Sequence, residues 1–571
     1  MKTSRFVSFL KNGISLVLIA GLLLGLSLIS SCAAPSAPTT PASPTTTTSL
    51  TPSPTPTAKH PSIIRHTDSF PANIDPAIGT DGVAGRCQIN MYDTLVFPTK
   101  TGDYQPWVAT KWTVSDDGMV WTFDIRPGIK FHSGNELTAE DVVYSMNRLI
   151  AIGEGWGYIF RPLIKETKAL DKYKVQFTLN HPFGPFIDSL VRLYIVDSKL
   201  VKANTKPEGK YGENGDYGVE WMQTHDAGSG PYMLKEIKRE EHVLMVKFPD
   251  YWNGWDPNAP EACEEITIMD PSTLKAEMAS RNLEISDYAQ TWETYQALAK
   301  IEGIKIASFW EGGMWNVMLN TKKPPTDDIH FRRALAYCID YETVINTIFP
   351  GSKLAEGPVA SSVPGFAANL PTYRFDLEKA REELAQSPYA DQLDKYPVEL
   401  AWVSEVPDEE KVALLLQANA QKLGIKVEIK KIPWLTVVDS AARPETTPNA
   451  TVVLASPAYG DAGVFLEMRY HSRATGVWSQ LEWLQDPEID SLIDDALKTI
   501  DRDERFQKYA KIQEKLVDLC PTIWLCQQVM LNAYQAAYVD WYTANGQACP
   551  LMHYNHYYHD FRVYPDKVPG S

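Results

Sequence analysis

KWTVSDDGMVWTFDIRPGIKFHSGNELTAEDVVYSMNRL, residues 111–149, is the stretch whose reading decides the fold. Residues 119–126 alternate. Met119, Trp121, Phe123 and Ile125 fall on one face and Val120, Thr122, Asp124 and Arg126 on the other, the pattern of a half-buried strand. Asp117-Gly118 before it and Pro127-Gly128 after it are turn dipeptides. Residues 130–134 make a short strand and a second turn. Thr138 then stands where a helix should start. Thr138-Ala139-Glu140-Asp141 has the form of a capping box, with acidic side chains in the positive first turn. Val142, Val143, Met146 and Leu149 give that helix its apolar stripe.

Outward from this stretch, strands and helices alternate along most of the chain, which favours α/β architecture with mixed sheets over an all-α or all-β fold. Helices are expected at residues 88–95, 187–193, 272–280, 376–385, 407–423, 482–498 and 503–519. Strands are expected at 62–65, 175–179, 232–237, 243–248, 265–269 and 425–432. A chain of 571 residues implies several lobes. With 44% hydrophobic residues and a net charge of −17, it is globular and acidic, which argues against a nucleic-acid partner. Sixteen Trp and 27 Tyr are rings suited to stacking on sugars or packing around peptide side chains.

The N-terminus reads as a targeting segment. Lys2, Arg5 and Lys11 precede an apolar run, 14–28, that ends in Ile29-Ser30-Ser31-Cys32. Small residues before a lone cysteine resemble a lipobox, with cleavage after Ser31 and a diacylglycerol on Cys32. Residues 33–59 are almost wholly Pro, Thr, Ser and Ala and read as an extended tether.

The signature stretch resembles that of the family 5 solute-binding proteins, the extracytoplasmic receptors of oligopeptide, dipeptide and nickel ABC transporters. The resemblance is carried by Trp112, Ser115, Asp117, Gly118, Thr122, Phe123, Arg126, Gly128, Lys130, Phe131, His132, Gly134, Leu137, Thr138, Ala139, Asp141 and Val142. Gly228-Ser229-Gly230-Pro231-Tyr232, residues 312–321 and residues 331–340 are similar to three further family landmarks. The resemblance implies a type II periplasmic-binding-protein-like fold, three lobes around a hinged cleft. Its segments would be a signal peptide 1–31, lipidated Cys32 and tether 32–59, domain I in parts 60–105, 226–315 and 530–571, domain II at 106–225 and domain III at 316–529. It also implies a non-enzymatic receptor. The receptor would be lipid-anchored on the outer face of the cytoplasmic membrane, need no cofactor and hand a peptide or similar solute to permease and ATPase subunits. An oligosaccharide is the alternative ligand, and a metal a more distant one. No G-x-S-x-G, H-E-x-x-H, P-loop or G-x-G-x-x-G motif points to an enzyme.

Peptide-binding members place an acid in a W-x-x-D segment shortly before G-D-P. Here the segment reads Leu454-Ala455-Ser456-Pro457-Ala458-Tyr459-Gly460-Asp461, so Pro457 stands where that acid would be. Candidate ligand-binding residues are Trp315, Tyr459 and Asp461, followed by Tyr288 and Trp478. Asp461 could alternatively cap the helix after it, and Trp315 could be core. His132 is expected to be scaffold. His553, His556 and His559 recur every third residue, but on a strand His556 would point away from the other two, so no metal site is assigned. Of the six cysteines other than Cys32, Cys338 reads as a buried free thiol, and one disulfide is plausible among Cys520, Cys526 and Cys549.

Overall fold

The computed structural model describes residues 60–569. The segments expected to be a signal peptide, a lipidated Cys32 and a tether lie outside the described residues.

Residues 111–149 fold much as their pattern dictates. Ala109–Val114 and Val120–Ile125 form an antiparallel hairpin, turning at Gly118 with φ +70°. Burial along Val120–Ile125 alternates strictly, with Trp121, Phe123 and Ile125 inside. Lys174–Leu179 and Ile164–Asp171 complete a four-stranded antiparallel sheet. Phe123 and Phe177 meet edge to face across its inner surface. The helix Ala139–Ile152 begins with the expected reciprocal box between Thr138 and Asp141 and ends at Gly153 with φ +68°.

His132 is held as scaffold. Its ring bridges the Asp226 carboxylate (2.6 Å) and the Gly230 carbonyl (2.9 Å), tying the signature stretch to the Gly228–Gly230 turn. Burial alone would lower its pKa, but the Asp226 carboxylate outweighs this and raises it. That turn needs glycine. A Cβ on Gly228 would stand 1.8 Å from the Met91 carbonyl oxygen.

A second sheet brings distant parts of the chain together. Ile63–Asp68 runs parallel to Ala262–Thr267, which pairs antiparallel with His242–Lys247 and then Tyr232–Lys238. Bridges from His66 to Ile285 and from Ile285 to Tyr534 continue it to the pair Met530–Tyr534 and Lys305–Phe309. The third sheet has six strands, in the order Lys353–Leu354, Thr522–Gln527, Met314–Leu319, Ala450–Ala455, Val398–Val403, Val427–Ile432. Its central strand, Met314–Leu319, is buried along its whole length. The helix Asp408–Gln421 crosses over between the parallel strands Val398–Val403 and Val427–Ile432, and Gly424 follows it with φ +82°.

Several boundaries move. The helix expected at 88–95 is Gly82–Met91, capped by Asp81, whose carboxylate accepts from the Ala84 amide at 2.9 Å. Nine of its ten residues are buried, so it has no polar face to give a 3.6-residue rhythm. Residues 186–192 split into a single α-turn and a 3₁₀ turn. The expected 482–498 helix starts at Pro487, behind the Asp486 cap. No disulfide joins Cys520, Cys526 and Cys549: all three are buried free thiols, as are Cys87, Cys263 and Cys338. Burial pushes the Cys338 thiol up to about 12.

Glu409 provides a test of packing in the six-stranded lobe. It lies in the first turn of its helix, 1% exposed, and accepts from the Val403 amide at 2.7 Å. Burial pushes its carboxyl up to about 8. A carboxyl that holds its proton more tightly when folded loses stability as pH rises from the unfolded value near 4.3 through 8. Glu409→Gln should therefore raise the denaturant midpoint at pH 8.5 and leave it nearly unchanged at pH 4.5. Equal shifts at the two values would mean that the carboxyl is not held in its neutral form.

Candidate functional site at a three-segment seam

The strand Ala450–Ala455 leaves the third sheet and runs into Ser456-Pro457-Ala458-Tyr459-Gly460-Asp461. The helix Gly463–Tyr470 follows, and a 3₁₀ turn, Trp478–Gln480, folds back beside it. Between them is a small recess. Its walls are Ala455 to Pro457 from the loop, Val464, Phe465, Met468 and Arg469 from the helix, and Trp478 and Ser479 from the turn. Trp478 is braced edge-on by Trp434, with ring centroids 4.9 Å apart. The lining is thus mostly apolar with a few polar groups, the usual composition of a small-molecule site.

Arg469 is the charged group in the wall. One terminal nitrogen donates to Glu482 at 2.6 Å, while its Nε and Nη1 have no hydrogen-bond partner among the described residues. The four-stranded lobe touches this segment beside the recess. The Tyr158 hydroxyl reaches Met468 Sδ at 3.6 Å. Trp156 stacks under the Arg192 guanidinium, 4.5 Å from ring centroid to Cζ. Arg192 Nε donates to the Ala458 carbonyl at 2.5 Å and Nη2 to that of Met552 at 3.4 Å. Tyr554 closes the group, its hydroxyl donating to the Val191 carbonyl at 2.8 Å. Three chain segments far apart in sequence therefore meet around Arg192.

The model of the bacterial extracellular solute-binding proteins, family 5 (middle region), matches residues 103–476, more than half of the chain. The chain belongs to that family. Among curated relatives, the probable D,D-dipeptide-binding periplasmic protein DdpA of Escherichia coli K12 is 27% identical over 468 residues, covering 80% of this chain and 87% of its own. The dipeptide-binding protein of the same organism is 25% identical over 505 residues, covering 82% and 90%. Among solved structures, the periplasmic binding protein DppA of Helicobacter pylori, in complex with the peptide STSA, superposes with a TM-score of 0.72 at 23% identity, covering 88% of this chain and 98% of that one. The family and the mixed α/β type II binding-protein fold expected from residues 111–149 are borne out.

The five candidate residues of this solute-binding protein do not gather at one point. Trp478 lines the recess. Tyr459 lies on the loop beside it, 2% exposed. Asp461 sits just behind: one oxygen accepts from the Gly463 amide at 2.8 Å, at the start of the helix, and the other from Arg505 at 3.2 Å. Burial, together with the nearby Asp461, holds the carboxyl of Asp188 well above the usual range, and neither Asp188 oxygen has a hydrogen-bond partner among the described residues. Trp315 lies in the core of the six-stranded lobe, stacked flat on Phe349 at 4.7 Å. Tyr288 is 40% exposed near Gly82.

His553, His556 and His559 also part company. His556 stacks on His66 at 4.7 Å, whereas His559 bonds Asp560 and the Gly254 carbonyl. Among the described residues no group of three or more His, Cys, Asp or Glu is placed to hold a metal ion.

Sequence reasoning missed Trp156, Tyr158, Met468, Arg469 and above all Arg192. A signal for the last was present: Leu190-Val191-Arg192-Leu193-Tyr194-Ile195-Val196 is an apolar run broken by one cation. Buried charges are rare without a partner or a task.

Proposed function

We propose that this protein is the receptor component of an ABC importer. It captures a peptide or similar small organic solute between its lobes and delivers the solute unchanged to a permease driven by ATPase subunits. The observation that carries the reading is the recess walled by 455–457, 464–469 and 478–479, an apolar pocket with few polar groups at a seam between lobes. Family membership supports it, as do the relatives named for dipeptide binding. The sparse polarity of the recess favours a peptide over an oligosaccharide.

The test is ligand-dependent stabilisation. A ligand at a hundred times its Kd stabilises the native state by about 2.7 kcal/mol. A panel of di- to pentapeptides should therefore contain members that raise the melting temperature of the purified protein and are recovered intact. Conversion of a bound peptide to products would refute a receptor without catalysis.

We also propose tethering through Cys32 to the outer face of the cytoplasmic membrane, on the strength of the lipobox-like Ile29-Ser30-Ser31-Cys32. Two acyl chains hold a protein firmly, one only loosely. Cys32→Ala should release the protein to the medium or leave it unprocessed. An unchanged membrane-bound species would exclude lipidation.

A further inference from the structure

Arg192 is fully buried, its Nε and Nη2 donate to the carbonyls of Ala458 and Met552, and Nη1 reaches no hydrogen-bond acceptor within normal geometry among the described residues. Among the described residues no carboxylate forms a salt bridge with it, and those on the neighbouring wall are engaged elsewhere, Glu482 with Arg469 at 2.6 Å and Glu467 with Arg473 at 3.4 Å. Glu311, which also feels Arg192, accepts from Asn555 at 2.9 Å, and burial pushes its carboxyl up to about 7, so it is only partly ionised at neutral pH. The Tyr194 hydroxyl lies beside the guanidinium. A buried cation without a counter-charge is strongly unfavourable, and a guanidinium is a rigid fork matched to a carboxylate.

Its surroundings fit the rest of such a ligand. Trp156 covers one face of the guanidinium, and the loop that accepts its Nε–H is the loop that walls the recess. Arg469, in that wall, adds two more donor nitrogens without a partner among the described residues, Nε and Nη1. Pro457, on the same loop, offers no charge to a ligand amine.

We propose that Arg192 is an anion-recognition residue, and that the solute is an organic acid carrying a carboxylate next to an apolar or aromatic group. The carboxylate takes the free edge of the guanidinium, the apolar group enters the recess, and a free amine on the ligand contributes little. This rests on the receptor reading and narrows it.

Four probes separate the charges: Ala-Phe, N-acetyl-Ala-Phe, Ala-Phe-amide and N-acetyl-Ala-Phe-amide. With the purified protein, calorimetry should give the two acids affinities about ten- to a hundredfold above their amides, the scale of one charge-assisted hydrogen-bonded contact. Acetylation should matter little. In Arg192→Gln the acid-over-amide preference should collapse towards unity, and Arg192→Lys should restore part of it. Ligand-free melting shows whether each variant is folded, and if Arg192→Gln does not fold, the wild-type acid-to-amide ratio decides alone.

Amides binding as tightly as acids, or Arg192→Gln keeping the preference, would overturn the proposal. If none of the four binds while a neutral oligosaccharide does, the receptor reading stands and this one falls. If nothing binds in either set, both fall.

Discussion

Asp75→Ala should lower the unfolding free energy of this solute-binding protein by about 3–5 kcal/mol, the effect of breaking a buried ion pair from one side. Asp75 is completely buried in the loop Asn73-Ile74-Asp75-Pro76. Its two oxygens meet the two terminal nitrogens of Arg148 at 2.7 and 2.6 Å, a bidentate fork, and one of them also accepts from the Ala77 amide at 2.9 Å. Arg148 lies on the helix Ala139–Ile152, and its Nε donates to the Tyr217 carbonyl at 2.9 Å. The loop follows the second sheet's strand Ile63–Asp68, and the helix belongs to the four-stranded lobe, so the pair clamps the two together. Alanine would leave a guanidinium that is 1% exposed without its countercharge. Much of the penalty should therefore be recovered in Asp75→Ala combined with Arg148→Met, since removing both charges is far less damaging than removing one. Denaturant titration of the single and double variants measures both effects. A loss below about 1 kcal/mol in Asp75→Ala would place the pair among exposed bridges, whose worth is of that order.

Trp315→Ala should destabilise the protein by about 3–5 kcal/mol, the usual range for truncating a buried aromatic side chain. Trp315 is 6% exposed on the strand Met314–Leu319, and its ring lies parallel to that of Phe349, with an interplanar angle of 6°. Val317 and Leu319 of the same strand share its core with Phe331 and Leu335 of the helix Ile329–Tyr337. Close-packed interiors relax only partially around a truncated side chain, so part of the lost contact stays lost. Trp315→Phe keeps a flat ring against Phe349 and should cost clearly less. Equilibrium unfolding of the two variants checks the order. If Trp315→Ala unfolds at the wild-type midpoint, the ring is not part of the core.

Much of this architecture is legible in local sequence because local rules decide it. The alternation of Trp121, Phe123 and Ile125 needs only one wet and one dry face. The Thr138–Asp141 box satisfies amides within one turn, and turn dipeptides such as Asp117-Gly118 need no distant partner. These, with the spacing of residues 111–149, determined the family and the fold class. Where the pattern failed, a tertiary reason stands behind it. The helix Gly82–Met91 is wet on no face, so its period vanished. Cys520, Cys526 and Cys549 are close in sequence, but each is enclosed in packed core with no partner sulfur.

The site divides along the same line. The loop around Tyr459 and the ring of Trp478 were reachable from the chain's own motif order. Only the folded chain decided that Trp315 faces Phe349 and that Asp461 is occupied by Arg505 and the Gly463 amide. The same holds for Arg192, which stands between Ala458, Trp156 and Met552, residues up to 396 positions apart along the chain. Periodicity reports which face of an element is dry; it carries no information about which distant side chain will share that dry space, because that is set by how separate lobes close on one another.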